Sequence, residues 1–539
     1  MTDTSPQQHD AATPKDVEAA KRTWVVHPFL FAMFPVLFVY AQNIEQFSPD
    51  AMLLPGLVLL LGTCVLWGLL SLVLRNVRKA AVVVSLFVVL LFSYEAAYRS
   101  LLDLGQDFLG FSASPKKTAL VVWFVVFVTG GWFAVRSRRP LDRLTKVVNA
   151  VAATLVVLSL VGIVSYGFRT TGETPVDEAT DTSQAKSTST GDGVAGPDIY
   201  YIIVDAYGRQ DVLRWLYGFD NAGFIGYLKD KGFYVAEKST SNYRSTVPSV
   251  SSALNHDYLT SLLPDLDVTS TDQLPLSRLI RHSRVARFLR KRGYTVIAFS
   301  SGAAASEMTT ADVYLAPGWF SGEFSNALLN MTPTWVLFQK LAVAPQGRKR
   351  ITYTFDQLER LPERPSPKFI YAHVMAPHRP FVFGPKGEHV NPVHLNDEGG
   401  KWNQEADVED YRTFYSGQVA YVNARLKAMI EAILTKSDRP PVIIIQGDHG
   451  PRSLSAVVGH PQRWVERFSI LNAYYLPGDA EPALWPEISP VNTFRVVFNR
   501  YFGQQYERLS DKCWASEGER LYKLTDVTDE VRCGVPSSP

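Results

Sequence analysis

Long apolar stretches fill the first third of the chain, and beyond them short branched runs alternate with amphipathic ones. The apolar stretches are Trp24–Ala41, Met52–Leu74, Ala80–Ala97, Thr118–Val135 and Val148–Gly167. Each approaches the roughly 20 residues that a helix needs to cross a ~30 Å hydrocarbon layer. They predict a helical membrane bundle of about five spans over residues 24–168, behind a polar tail of residues 1–23. The first span is the weakest, because His27 and two prolines interrupt it. Residues 169–196 are rich in Thr, Ser, Gly and acids, with no apolar period, which reads as a flexible linker. From 197 to 539 the pattern becomes globular. "DIYYIIVD", "YTVIAFSS", "PKFIYAHVMA" and "PVIIIQGD" read as buried strands. Amphipathic stretches such as "YRTFYSGQVAYVNARLKAMIEAIL" separate them. That alternation predicts one α/β domain with a mainly parallel sheet covered on both faces.

Charge refines this outline. The formal net charge of the 539 residues is +2, which gives no broad basic face for nucleic acid. Within the first third the basic residues are uneven. Lys15, Lys21 and Arg22 precede the first span, "RNVRK" follows the second, and "RSRRPLDRLTK" follows the fourth. The loop "QNIEQFSPD" has neither Lys nor Arg. Basic loops stay in the cytoplasm, so the N-terminus is expected inside and the domain from 197 onward outside. A cleaved secretory signal does not fit, since the first apolar span follows a polar tail and four more come after it. Cys513 and Cys533 share the tail of that outward domain, where an oxidising compartment permits a disulfide and two free thiols remain the alternative. "RLIRHSRVARFLRKRG" is strongly basic, but its apolar positions recur at helical spacing, so a solvated helix face is the default reading.

The candidate chemistry collects where strands end. In an open α/β sheet, ligands bind beyond the carboxyl ends of the strands. Asp205 ends "YYIIVD", His378 follows "FIYAHVMAP", and Asp448 and His449 follow "VIIIQG". A turn tolerates the glycine and the aspartate of "GDHG", but it has no use for the imidazole. Thr246, in "SNYRSTVPSV", opens a helix whose first turn holds Pro248. Taken singly, each residue has an ordinary role: a turn aspartate, a capping threonine, a histidine packed beside prolines. Together, two carboxylates, an imidazole and a hydroxyl suit a divalent ion of the Zn²⁺ or Mn²⁺ type better than Ca²⁺, whose sites seldom recruit histidine. An ion beside Thr246 makes its oxygen a better nucleophile, and a helix N-terminus favours a bound anion. Arg452, four residues after Asp448, is a candidate contact for a phosphate, with a surface arginine as the plain alternative.

These residues carry a resemblance to the alkaline phosphatase/sulfatase superfamily. Within it, the spans and the outward domain resemble lipoteichoic acid synthase and the phosphoethanolamine transferases. The resemblance implies an alkaline phosphatase-like fold, with Asp205, Thr246, Asp448 and His449 as metal ligands and Thr246 as nucleophile. His378 and His460, the latter in "SAVVGHP", match the family's histidines on the substrate or second-metal side. It further implies transfer of a phospho-alcohol from a phospholipid donor to an envelope glycan or lipid, at a bacterial-type inner membrane with the catalytic domain periplasmic or extracellular. Hydrolysis with water as acceptor, and a catalytically silent membrane scaffold, are the alternatives. Two departures stand out. Asp205 occupies a position where the lipid-dependent transferases usually have Glu. "TVPS" is similar to the sulfatase C/S-x-P-S-R signature, yet Thr246 stands for the residue that becomes formylglycine and Val250 for the arginine. Threonine cannot supply the aldehyde hydrate of the usual sulfatase route.

Overall fold

The computed structural model describes residues 24–532 except 45–46, 48, 109–114, 139–140, 173–195, 266, 318–322, 334–346, 393–394, 396–404, 457–459, 461, 479–483 and 518–519. The tail 1–23, most of the linker 169–196 and Cys533, hence the question of a disulfide, lie outside the described residues. The chain divides into two compact units, Met1–Phe38 with Gly56–Gly162, and Val39–Pro55 with Ile163–Pro539.

The apolar segments form α1 (His27–Gln42), α2 (Leu53–Leu74), α3 (Val77–Phe108), α4 (Pro115–Arg136) and α5 (Asp142–Gly172). Among the described residues, α2 to α5 contain four segments long and apolar enough to cross a membrane, while α1 is a shorter apolar helix of 16 residues. The polar residue that weakens α1 is accounted for. His27 is buried with Nδ1 2.6 Å from Ser85 Oγ of α3. Asn149 of α5 accepts from the backbone N–H of His27 at 3.0 Å, capping an amide that has no partner inside its helix.

In the second unit, the strands are β1 (Ile199–Val204), β2 (Tyr234–Val235), β3 (Thr295–Phe299), β4 (Val313–Leu315), β5 (Lys368–Val374), β6 (Val442–Gln446) and β7 (Asn472–Tyr475). They form one seven-stranded sheet in the order β2-β7-β6-β1-β5-β3-β4. β6, β1, β5, β3 and β4 run parallel, and β7 and β2 add an antiparallel edge. All six residues of β1 are buried. Their alternation sorts them between two cores. Tyr200, Ile202 and Val204 pack with Tyr415, Val419, Val422 and Leu426 of the long helix Glu405–Lys436. Ile199, Tyr201 and Ile203 pack with Val250 and Leu254 of the helix Thr246–Asn255 and with Phe494 and Phe498 of the helix Pro490–Phe502. A short hairpin, β8 (Trp514–Glu517) and β9 (Arg520–Asp526), stands apart from the sheet. It braces residues 242–244, because the Trp514 N–H donates to Asn242 O at 2.8 Å and Arg244 Nε donates to Ser516 Oγ at 2.9 Å.

The sheet's amino edge carries a fully buried lysine. Lys368 Nζ pairs with Asp198 and donates to Arg364 O at 3.0 Å. Removing one partner of a buried pair strands the other charge. Asp198→Ala is expected to cost about 3–5 kcal/mol in denaturant unfolding of the solubilised chain. A second buried cationic group is suppressed instead. His256 ends the helix Thr246–Asn255 in a left-handed conformation, against Phe498 and Tyr506. Burial, then the charges of Arg495 and Arg284, push its imidazole down to about 3. Below an ordinary histidine pKa of about 6.5 the unfolded chain takes up a proton that the fold refuses. Stability therefore falls with acid, by up to ~1.4 kcal/mol per pH unit from this group. His256→Asn, which keeps a residue tolerant of the left-handed region, is expected to flatten unfolding free energy against pH between 6.5 and 4.

Candidate metal centre

β1, β5 and β6 lie side by side, so their carboxyl ends deliver Asp205, the segment leading to His378, and the "GDHG" turn to one place. The backbone is packed tightly there. Ala206 adopts φ +60, unusual for a residue with a side chain. It is pinned from two sides: its N–H donates to Asp448 Oδ1 at 3.0 Å, and its carbonyl accepts from Tyr415 OH at 2.8 Å. Both glycines of the turn are required by close approach. A Cβ on Gly447 would lie 2.7 Å from Tyr207 O, and one on Gly450 would lie 2.0 Å from Glu466 O. The following loop is held by the buried Glu466 carboxylate, which accepts from the Ser453 and Leu454 N–H groups, each at 2.8 Å, and from Tyr217 OH at 2.6 Å.

Four of the expected residues converge. His449 Nε2 lies 3.2 Å from Thr246 Oγ1, 3.4 Å from Asp448 Oδ2 and 3.6 Å from Asp205 Oδ1. Asp205, Asp448 and His449 are all buried, and each offers a ligand atom within 4.8 Å of the others. His449 Nδ1 sits 3.0 Å from Gly450 O, the arrangement that puts the ring proton on Nδ1 and leaves the Nε2 lone pair facing the group. Thr246 is the first residue of its helix, and Ser245 before it makes no side-chain cap.

This donor set fits a divalent cation. Both carboxylate oxygens of Asp205 and Oδ2 of Asp448 are buried without a hydrogen-bond donor. Unsatisfied buried carboxylate oxygens are costly unless a positive charge meets them. Burial, then the charge of Asp205, pushes Asp448 up to about 7. Burial also opposes charge on Asp205, but the imidazoles of His378, His373 and His449 outweigh it and hold that carboxyl below the usual range. Burial drives His449 well down, and Arg467 adds to this, so its imidazole is neutral and ready to ligate.

The remaining residues lie at different removes. His378 is half-buried, its ring centroid 6.1 Å from that of His449. Its N–H donates to Asp205 O at 3.0 Å, and its Nδ1 abuts Arg379 O. Burial lowers its pKa, which leaves it neutral. Arg452 is half-buried; its N–H donates to Tyr411 OH at 3.4 Å, and its charge reaches His378. His460 accepts from Gln462 N–H at 3.2 Å within its own loop, and among the described residues no contact ties it to the cluster.

Three residues of this region escape a reading of the sequence. His373 is fully buried in β5 with Nε2 3.2 Å from Asp205 Oδ2 and Nδ1 2.9 Å from Ser306 Oγ. Burial opposes its charge, but Asp205 raises its pKa. The one available signal was a histidine inside the otherwise apolar run "FIYAHV". Glu466 and Arg467 lie on the short helix Arg463–Phe468, whose pattern says nothing of what it faces.

The sulfatase profile matches residues 197–494. No curated protein matches the chain by sequence. Among solved structures, the chain is similar to the C-terminal periplasmic domain of EcEptC from Escherichia coli in complex with Zn, at 12% identity and a TM-score of 0.43, covering 64% of this chain and 95% of that one. It is also similar to the C-terminal periplasmic domain of phosphoethanolamine transferase EptC from Campylobacter jejuni, at 12% identity and a TM-score of 0.35, covering 58% and 91%. A third is BT1596, a 2-O GAG sulfatase, at 13% identity and a TM-score of 0.37, covering 59% and 77%. The profile spans more than half of the chain and takes in β1 to β7 with the whole convergent group, so this protein belongs to the sulfatase family, among the enzymes of the alkaline phosphatase/sulfatase superfamily.

Proposed function

We propose that this protein transfers a phospho-alcohol group from a phospholipid-type donor to a surface glycan or lipid, through a phosphothreonine at Thr246. The observation that carries the reading is the hydroxyl of Thr246, 3.2 Å from His449 Nε2 beside two buried carboxylates, at the start of a helix. Asp205, Asp448 and His449, with Thr246, would hold the ion, Zn²⁺ or Mn²⁺ by donor type. When bound, that ion lowers the pKa of a hydroxyl next to it and offsets charge developing on phosphorus.

The protein's own groups supply the rest. Thr246 Oγ1 attacks the phosphorus, a new P–O bond forms, and the bond to the lipid alkoxide breaks. The first amides of the Thr246–Asn255 helix point their N–H groups toward the anion. His378, kept neutral by burial, moves one proton in each half: it takes the proton that Thr246 Oγ1 loses and passes it to the departing alkoxide, then takes the proton of the acceptor hydroxyl and returns it to Thr246 Oγ1. Attack by that hydroxyl then breaks the Thr246–phosphorus bond and restores the threonine. His460 and Arg452 are assigned to the substrate side, on their sequence context alone for His460. In this reading residues 24–168 anchor the protein with its N-terminus in the cytoplasm. The linker 169–196 then carries a catalytic domain of residues 197–539 on the periplasmic or extracellular side. The four long apolar helices and the placement of basic loops support that arrangement. Thr246, in place of a formylglycine precursor, argues against sulfate-ester cleavage by the usual sulfatase route.

Thr246→Ala is expected to lower turnover by about 10³-fold or more. Metal content should stay unchanged, and mass spectrometry should find no phospho-adduct after incubation with phospholipid; undiminished turnover would remove the mechanism. Chelation should abolish activity and Zn²⁺ or Mn²⁺ should restore it, while Asp448→Asn should lose the stoichiometric ion. A silent scaffold would carry no such ion. Labelled phospholipid offered with and without surface glycan separates transfer from hydrolysis, since a hydrolase releases free phospho-alcohol in both cases.

A further inference from the structure

Arg467 touches neither Thr246 nor the carboxylates, yet it joins the segments that carry them. Its Nε–H donates to the carbonyl of Arg244 at 2.5 Å, and its Nη1–H donates to the carbonyl of Gly450 at 3.0 Å. Arg244 lies two residues before Thr246, and Gly450 directly follows His449. One planar guanidinium therefore spans the two stretches of chain that meet where Thr246 Oγ1 approaches His449 Nε2. The same Gly450 carbonyl receives His449 Nδ1, so the arginine also helps to fix the ring's orientation. Backbone bonds complete the frame: Gly450 N–H donates to Arg467 O, and Ser241 N–H to Phe468 O, both at 2.7 Å.

The electrostatics separate Arg467 from an ordinary structural arginine. Among the described residues no carboxylate lies within ion-pair distance of its guanidinium, and its recorded acceptors are two carbonyls. A half-buried cation paired only with carbonyls is costly, so some other advantage must offset it. A planar fork with fixed donor angles suits two acceptors on different segments, which a single ammonium on a flexible stem cannot bridge equally.

We propose that Arg467 is a positioning residue for the reaction: by bridging Arg244 O and Gly450 O it sets the separation of Thr246 from the ion-binding turn. The proposal rests on the role assigned to Thr246 under the proposed function. A misplacement of about 1 Å in such a pair can cost on the order of 10² in rate.

The test uses the full chain in detergent, with Arg467→Gln, Arg467→Lys and Thr246→Ala beside the parent. Three quantities are measured: hydrogen–deuterium exchange, zinc content, and turnover of bis(4-nitrophenyl) phosphate. In Arg467→Gln, exchange is expected to rise in residues 241–250 and 448–454 and not elsewhere, with zinc retained. The turnover constant should fall about 100-fold, with KM within roughly threefold of the parent, and Arg467→Lys should fall between the two. Unchanged exchange in both segments overturns the proposal. So does an unchanged turnover constant, or a loss confined to KM, which would make Arg467 a substrate contact. Loss of zinc would make it a support of the metal centre instead, and would equally overturn it. If Arg467→Gln does not fold, Arg467→Lys decides by the same measures. A parent that turns over no faster than Thr246→Ala rejects the functional reading, and the exchange measurement still decides the fate of the bridge.

Discussion

Two carboxylates enclosed beside each other at the ends of neighbouring strands make a repulsion that the rest of this sheet edge must answer. Asp205 and Asp448 follow β1 and β6, which are paired in register, so the sheet itself forces the two groups together. Burial denies them water, and three of their four oxygens find no hydrogen-bond donor. The surroundings lean positive in reply. His373, its pKa raised, sits against one oxygen of Asp205, and the charge of Arg467 reaches both carboxylates from beyond contact. A divalent cation held by these residues would resolve what their neighbours only soften.

Much of this was visible before any fold was known, and the reason is physical. Strands buried on both faces must be continuously apolar, so β1 and β6 announce themselves as "IYYIIV" and "VIIIQ". A parallel sheet then dictates that polar residues just past such runs share an edge. Asp205, Asp448 and His449 were legible for that reason, and Thr246 because a proline two residues on marks a helix start. The order of the strands and the antiparallel edge were not legible, since short apolar runs carry no record of their neighbours. His373 hid inside a strand, where alternation predicts only which face it takes. Arg467 and Glu466 act across some 220 to 250 positions of sequence, on Arg244 and Tyr217, and no local pattern encodes such a reach. His460 differs from these: its sequence context suggested a site residue, and its observed contact is with its own loop.

The membrane unit teaches a related lesson. Composition made the first apolar segment look the least secure, on account of His27. In the folded unit that histidine is a point of attachment, bonded to Ser85 of α3 and capped through its backbone by Asn149 of α5. A polar residue in an apolar helix weakens a hydropathy profile and at the same time gives the helix specific partners.

The split of β1 between two cores has a consequence for how such an enzyme can diversify. Its even-numbered side chains lock to the helix that bears Tyr415, its odd-numbered ones to the helix that begins with Thr246. Sliding either layer would drag Thr246, or the tyrosine that pins Ala206, away from the acids. The interior is thus frozen by the layers packed on either side of one strand. Any change of substrate has to come at the rim, in the loops after β5 and β6, where residues can vary while the convergent group stays put.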